Sequence, residues 1–461
     1  MKEFLKKLDL ECASKVSKEK INELKIIPLY EEENFVYVLN YGTKENNKKY
    51  LEFLYGKDII FKEIQKEEFK RLYSCLYPDI KDITLEESII NECIKINVSD
   101  IHFEIFDGAV NVRARIDGYL SLIRKIKISD YNQILSRIKL KGNMDIAEKR
   151  RPQDGKVTIN TQDGNIDCRI STIPTLNGEK MVIRILYKEK LDYKIENLKL
   201  LDSQFKDLKK IINVKNGITI ISGPTGSGKT TTLYSILSSI KDKDINITTI
   251  EDPIECEISG INQMNVNSKI NFDFAEGLKY TLRQDPDVIM VGEIRDEETA
   301  KMAIRSAITG HKVYSTIHTK SGREVFFRLE DMKVKSYLIK DSLVGTISQR
   351  LIGKLCDSCK EKYKTKLFGV EREIYREKGC RECNFTGIKG RRLVCAIHYI
   401  GEDMKGYLKN INNNLEFLSN KQMIDVCKKL LLEGDISINQ YNRFIEGEEL
   451  LKYEDDKEAF I

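Results

Sequence analysis

Between Ile218 and Leu237 the chain passes from an apolar run, Ile218-Thr-Ile-Ile-Ser222, through Gly223-Pro-Thr-Gly-Ser-Gly-Lys-Thr230, into a segment with helical apolar spacing at Leu233, Ile236 and Leu237. A buried strand, a G-x4-G-K-[ST] loop and a helix in that order predict a unit whose backbone N–H groups converge on an anion at a helix N-terminus. The glycines let the backbone wrap phosphates, Lys229 brings a cation to the β- and γ-phosphates, and Thr230 can ligate Mg²⁺. Gly223, Pro224, Thr225, Gly226, Ser227, Gly228, Lys229, Thr230 and Thr231 are the expected nucleotide contacts. A chance glycine-rich turn would not explain a strand before the loop and a helix after it.

Around this loop, from about 200 to 355, short apolar strands alternate with amphipathic helices, the pattern of an α/β domain with a mainly parallel sheet. Ligands of such sheets sit beyond the carboxyl ends of the strands. Ile245 to Ile250 ends at Glu251-Asp252, Asp287 to Gly292 ends at Glu293, and Val313 to Ile317 ends at His318. Glu293 is the candidate to orient and polarise an attacking water. Glu251 is placed to hold Mg²⁺ through water or to assist that nucleophile, and His318 to hydrogen-bond a γ-phosphate. The alternatives are solvated helix caps for the two carboxylates and a structural histidine for His318. His311, after Gly310, has the position of a helix cap as much as that of a functional group.

A chain of 461 residues exceeds one ordinary domain. Residues 1–78 mix strand-like runs (Lys25 to Leu29, Phe35 to Leu39, Ile59 to Lys62) with polar helices. Met1 to Leu10 reads as a short amphipathic helix, Phe4, Leu5 and Leu8 on one face, docked on the protein's own body. Residues 82–190 carry strands at Val110 to Ile116, closed by an Asp117-Gly118 hairpin signal, and at Lys156 to Thr161, Ile166 to Ile173 and Lys180 to Leu186. Lys188 to Lys199 reads as a linker, 356–400 as a cysteine-bearing segment, and 401–461 as a tail with helical spacing at Met423, Val426, Leu430 and Leu431. The whole chain's 77 basic and 72 acidic residues nearly cancel, which is not the footprint of a dedicated nucleic-acid binder. No stretch reaches the roughly 18 apolar residues of a membrane span, and the start has no secretory apolar core. The expected compartment is the cytosol, where the eleven cysteines stay reduced.

Four of those cysteines, Cys356, Cys359, Cys380 and Cys383, make C-x2-C-x20-C-x2-C, the spacing of two knuckles that bring four thiolates to one Zn²⁺. Redox dithiols and incidental cysteines are the competing readings. The other seven read as small buried hydrophobes.

Taken together, these segments resemble the secretion ATPases of type II secretion and type IV pilus assembly over roughly residues 25 to 400. Gly223 to Thr232 is similar to that family's Walker A segment, Thr249 to Glu255 to its Asp box, Leu282 to Asp296 to its Walker B region and Thr309 to Thr319 to its His box. In the preceding domain, Ser99 to Glu104, Val112 to Gly118, Asp145 to Arg150, Pro152 to Gly155, Asp167 to Thr172 and Gly178 to Arg184 are similar to the family's second N-terminal domain. Gly379 to Arg391 is similar to its zinc segment. The resemblance implies a RecA-like P-loop ATPase core preceded by a smaller α/β domain, with a zinc-binding insert and a helical tail. It further implies ATP, Mg²⁺ and Zn²⁺ as cofactors, a homo-hexamer, and an inner-membrane platform protein as partner. Arg169 and Arg184, with Arg283 from the ATPase domain, carry over as arginines for the transferring phosphoryl group; surface ion pairs are the alternative for each.

There are departures. Lys279 stands where the family repeats an arginine, and an ammonium does not reproduce a bidentate guanidinium. Val394-Cys-Ala396 replaces an aromatic and acidic run. No cyclic-dinucleotide motif is evident. Retraction ATPases of this family usually lack the cysteine insert, so the expected function is a cytoplasmic motor, peripheral to the inner membrane, that hydrolyses ATP for type IV pilus assembly or type II pseudopilus extension. A DNA-translocating hexameric ATPase and a nucleotide-binding scaffold without catalysis are the other readings.

Overall fold

The computed structural model describes residues 2–42, 45–77, 84–161, 164–187, 193–241, 244–267, 270–401 and 418–445. They gather into two compact units, 1–188 and 189–461.

In the first unit β1 (Ile26–Glu31), β2 (Phe35–Asn40) and β3 (Asp58–Glu63) form a three-stranded sheet. The helix Lys2–Lys7 and the turn after it bury Leu5 and Leu8 in the core on this sheet, so the amphipathic start is docked on its own unit. A second, antiparallel sheet holds β4 (Asp100–Phe106), β5 (Ala109–Ile116), β6 (Tyr119–Ile126), β7 (Gln153–Thr161), β8 (Gly164–Thr175) and β9 (Gly178–Leu186), in the order β6-β5-β4-β9-β8-β7. Strand side chains alternate between faces. Val110, Val112, Ala114 and Ile116 are accordingly buried, whereas Asn111, Arg113 and Arg115 face the other way. Asp117 and Gly118 both take positive φ in the turn joining β5 to β6.

The second unit is built on a seven-stranded sheet of β10 (Gly217–Ser222), β11 (Ile247–Glu251), β12 (Asn262–Asn265), β13 (Val288–Val291), β14 (Lys312–Ile317), β15 (Leu343–Leu355) and β18 (Ile388–Tyr399). The order is β12-β11-β13-β14-β10-β15-β18, parallel except for the β15–β18 pair. Every residue of β10 and β11 is buried, as expected for strands covered by helices on both faces. Full burial of an isoleucine such as Ile220 contributes about 1.5–3 kcal/mol.

The cysteine segment is bracketed by this sheet rather than set apart from it. The chain leaves at the end of β15, makes the hairpin β16 (Glu361–Leu367) and β17 (Val370–Arg376), and returns as β18 along the edge. The tail helices Lys421–Leu432 and Ile438–Ile445 bury Met423, Val426, Leu430 and Leu431 against Ile352, Val394 and Ala396. Residues 193–199 of the expected linker are not free-running: Tyr193 and Ile195 pack into the second unit's core. The remainder of that linker, residues 402–417 and the chain beyond 445 lie outside the described residues. Among the described residues no helix is long and apolar enough to cross a membrane.

Candidate functional site: a phosphate cleft and a four-cysteine cluster

Strands β11, β13, β14 and β10 are consecutive in the sheet and run the same way, so their carboxyl ends share one rim. From β10 the chain enters the glycine loop at once. Gly223 has φ 154° and lies so close to β15 that a Cβ there would fall 2.3 Å from the Gln349 carbonyl oxygen. Gly228, at φ 86°, caps the helix Lys229–Ile240 in a left-handed conformation that a side chain would strain. Gln349 holds the loop from behind, its Nε2 donating to the Ser227 carbonyl at 2.8 Å. The Lys229 ammonium donates to the carbonyls of Gly223 and Pro224 at 2.9 and 3.0 Å. Burial pulls this lysine below its ordinary range, and the Glu293 carboxylate works against that shift. Ser227 Oγ is buried without a hydrogen-bond partner. A loop with an unpaired buried hydroxyl and a half-desolvated ammonium suits an incoming polyanion.

The cleft in front of the loop has a volume of about 370 Å³. Residues 225–231 line it together with Glu251, Asp252, Glu293, Thr316 and His318. His318 Nε2 is 3.5 Å from Glu293 Oε2, and Arg295 pairs with the other oxygen of Glu293 and reaches Asp252 at 3.9 Å. Burial first, then the Lys229 cation, hold the His318 imidazole below its ordinary 6.5, against the pull of Glu293. Glu251 is buried at the end of β11 and accepts hydrogen bonds from Tyr234, Thr249 and Gln263. Thr230 and these carboxylates are hard oxygen donors of the kind Mg²⁺ takes alongside phosphate. The donor set fits that ion.

Two cleft features were not anticipated. Arg391, three residues after the start of β18, lines the cleft, although the sequence gives it only as the last residue of Gly379 to Arg391, the stretch similar to the family's zinc segment. Arg295 was within reach, two residues after Glu293 in a charged run.

Three expected site arginines are not among the residues that line the cleft. Arg283 is exposed, its guanidinium over the Tyr280 ring, in the turn that precedes β13 and therefore at the amino edge of the sheet, opposite the rim. Arg169 and Arg184 belong to the first unit and are direct partners across β8 and β9. Arg184 Nε donates to Asp100 at 2.8 Å, whereas Arg169 Nε is buried without a partner. Like charges directly opposite on adjacent strands destabilise a sheet. Lys279 is exposed on the helix Phe274–Thr281 and does not line the cleft. His311 caps a helix end, its Nδ1 3.1 Å from the Ser306 carbonyl oxygen.

The four cysteines come together. Their Sγ atoms all lie within 4.8 Å of one another. The pairs Cys356–Cys380, Cys359–Cys383 and Cys380–Cys383 stand at 3.8, 3.7 and 3.8 Å. A Zn–S bond of about 2.3 Å puts the corners of a tetrahedron about 3.8 Å apart, whereas a disulfide needs about 2.0 Å. Backbone N–H groups of Cys380 and Gly387 donate to Cys383 Sγ at 3.1 and 3.2 Å. Burial opposes ionisation of that thiol, yet these donors bring it down to about 7. The set fits Zn²⁺. Of the other cysteines whose burial is described, Cys12, Cys93, Cys168, Cys395 and Cys427 are buried and Cys256 is half-buried.

A family profile described as "Type II/IV secretion system protein" matches residues 79–443. The type II secretion system protein E of Pseudomonas aeruginosa is 38% identical over 379 residues, spanning 79% of this chain and 76% of the relative. The type IV pilus assembly ATPase PilB of Thermus thermophilus is 40% identical over 383 residues, which is 79% of this chain and 43% of PilB. Among solved structures, the pilus retraction motor PilT with bound ADP matches with a TM-score of 0.52 at 25% identity, covering 78% of this chain and 97% of PilT. The ATPase DotB of Legionella pneumophila matches in fold, with a TM-score of 0.59 at 22% identity over 80% of this chain and 98% of DotB.

Proposed function

The chain belongs to the type II/IV secretion system protein family and is an ATPase, and from that premise we propose a homo-hexameric motor that extends a type IV pilus or a type II pseudopilus. It would work in the cytoplasm, against a platform protein of the inner membrane. The observation that carries this reading is the meeting of Lys229, Glu251, Glu293 and His318 in one cleft at one rim of the sheet.

In this reading residues 223–231 wrap the phosphates of ATP and Lys229 leaves its two loop carbonyls for the β- and γ-phosphates. Thr230 and Glu251 hold the Mg²⁺ that accompanies ATP, which supplies charge neutralisation on the phosphate oxygens. Glu293 accepts a hydrogen bond from the attacking water and aligns it with the γ-phosphorus. Arg295 pairs with Oε1 of that carboxylate, which leaves Oε2 with acceptor capacity for the water. His318, kept neutral by its surroundings, donates to the γ-phosphate or to Glu293 and so distinguishes ATP from ADP. Arg169, whose Nε has no partner, and Arg184, which is paired with Asp100, supply positive charge to a phosphoryl group on a neighbouring subunit. Arg283, exposed at the amino edge of the sheet in its own subunit, would likewise act on a neighbour's phosphates.

Cys356, Cys359, Cys380 and Cys383 hold zinc in a structural role, fixing the hairpin that leads back to Arg391. The experiment is steady-state ATP hydrolysis by Lys229→Ala beside wild type. Turnover should fall to background, and a variant that hydrolyses ATP at the wild-type rate removes the motor from consideration.

A further inference from the structure

Glu251 is 3% exposed, and among the described residues it makes no ion pair. A buried carboxylate with no cation is costly unless hydrogen bonds satisfy it. Here three neutral donors do so. Thr249 Oγ1 and Gln263 Nε2 donate to Oε1 at 2.6 and 3.1 Å, and the Tyr234 hydroxyl donates to Oε2 at 2.5 Å. Oε2 thus has a single protein donor and keeps acceptor capacity beside a cleft that Glu251 itself lines.

Tyr234 is fully buried on the helix whose N-terminus carries Lys229, five residues on. Its ring is held edge-on by Tyr193, with centroids 5.2 Å apart at 78°. The hydroxyl also accepts from the Glu255 N–H at 3.4 Å, just beyond the end of β11. A phenol has one proton, and accepting on one side directs that proton to Glu251. Burial and the neighbouring carboxylate hold the phenol far above its ordinary range, so it stays a donor at any physiological pH.

We propose that Tyr234 is a positioning residue for the hydrolytic site: its hydroxyl fixes the Glu251 carboxylate so that the free side of Oε2 meets the hydrated cation arriving with ATP. The inference rests on the proposed role of Glu251. It also narrows that role, since a carboxylate held by three donors is a fixed charge and an acceptor for metal-bound water rather than a mobile base. Partners that orient a metal-binding carboxylate typically cost about 10- to 100-fold in metal affinity or activity when removed.

The test uses the full chain and the variants Tyr234→Phe, Glu251→Gln and their double. Binding of N-methylanthraniloyl-ATP is titrated with Mg²⁺, and turnover is measured alongside. Tyr234→Phe keeps the ring and its Tyr193 contact, so binding without Mg²⁺ should equal wild type. The Mg²⁺ concentration for half-maximal tightening should rise about 10- to 100-fold. The double variant should be no worse than Glu251→Gln, because both changes act through one carboxylate. A Tyr234→Phe protein with the wild-type Mg²⁺ requirement, or a double variant in which the two losses multiply, overturns the proposal while leaving Glu251 in place. A Glu251→Gln protein indistinguishable from wild type overturns the role of Glu251 itself. Should Tyr234→Phe bind nucleotide poorly even without Mg²⁺, Thr249→Val, which removes a donor to Oε1, is read against the same two criteria.

Discussion

His318 Nε2 lies 3.5 Å from Glu293 Oε2, on the side of that carboxylate away from Arg295. The histidine thus faces the residue expected to align water and the loop expected to hold phosphate. Its pKa is depressed below 6.5 by burial and by Lys229. In the window beneath 6.5 the folded protein therefore binds fewer protons than the unfolded chain. Stability drawn from this imidazole is complete above 6.5 and is lost as pH falls through the folded value. Turnover should be level above about pH 6.5 and fall below it as the imidazole gains charge. In rates measured from about pH 5 to 8, His318→Gln should show a weaker acid limb. An acid limb of the same midpoint and depth in that variant would show that another group titrates.

Arg391 should behave as a nucleotide contact. Hydrogen bonds to charged groups contribute about 1.5–3 kcal/mol, so Arg391→Ala should weaken ATP binding roughly ten- to hundredfold. Lysine would restore little, because an ammonium lacks the planar fork. Equilibrium binding of the two variants checks this. Wild-type affinity in Arg391→Ala would mean that the side chain borders the cleft without contacting ligand.

The cysteine cluster should carry about one zinc per chain, measured by metal analysis of purified protein. Cys383→Ser removes the sulfur that takes two backbone N–H donors. It should cut zinc below about half an equivalent and lower the melting temperature. Full zinc content in that variant would place the metal elsewhere.

Arg169 and Arg184 stand opposite each other on β8 and β9, and only Arg184 has a carboxylate in hydrogen-bond contact. If they meet a neighbour's phosphates, Arg169→Ala should cut turnover by about 10³-fold or more while ATP binding holds. Relief of like-charge repulsion should leave the fold as stable as wild type or more so. Mixing this variant with Lys229→Ala tests the contact across subunits. Partial recovery of turnover in mixed assemblies is the expected result, and a mixture no more active than either parent argues against it.

Much of the site could be read from the chain because its chemistry sits at the ends of strands. A run such as Val288 to Val291 is apolar over its whole length, and in a parallel sheet such runs stop at the ligand edge, so the first charged residue after each one reports its place. The cysteine pairs were legible for a similar reason, since two tight turns fix each pair locally and only one closure remains. Strand β15 was harder. Leu343–Leu355 contains Gly345, Gly353, Thr346, Ser348 and Gln349, a composition that declares no buried strand, and it becomes one because β10 and β18 pair with it on either side.

What local order along the chain determined was the phosphate loop, the acids and imidazole at neighbouring strand ends, and the sulfur tetrad, each written within a few residues or at repeated spacing. What tertiary structure decided was everything that depends on distant segments meeting. Gln349 supports Ser227 from 122 residues away, Arg391 turns from the cysteine segment into the cleft, and Arg283 ends at the amino edge of the sheet, opposite the phosphate loop. Spacing along a strand fixes which way a side chain points, but not which loop returns beside it; that is set by the packing of the whole sheet.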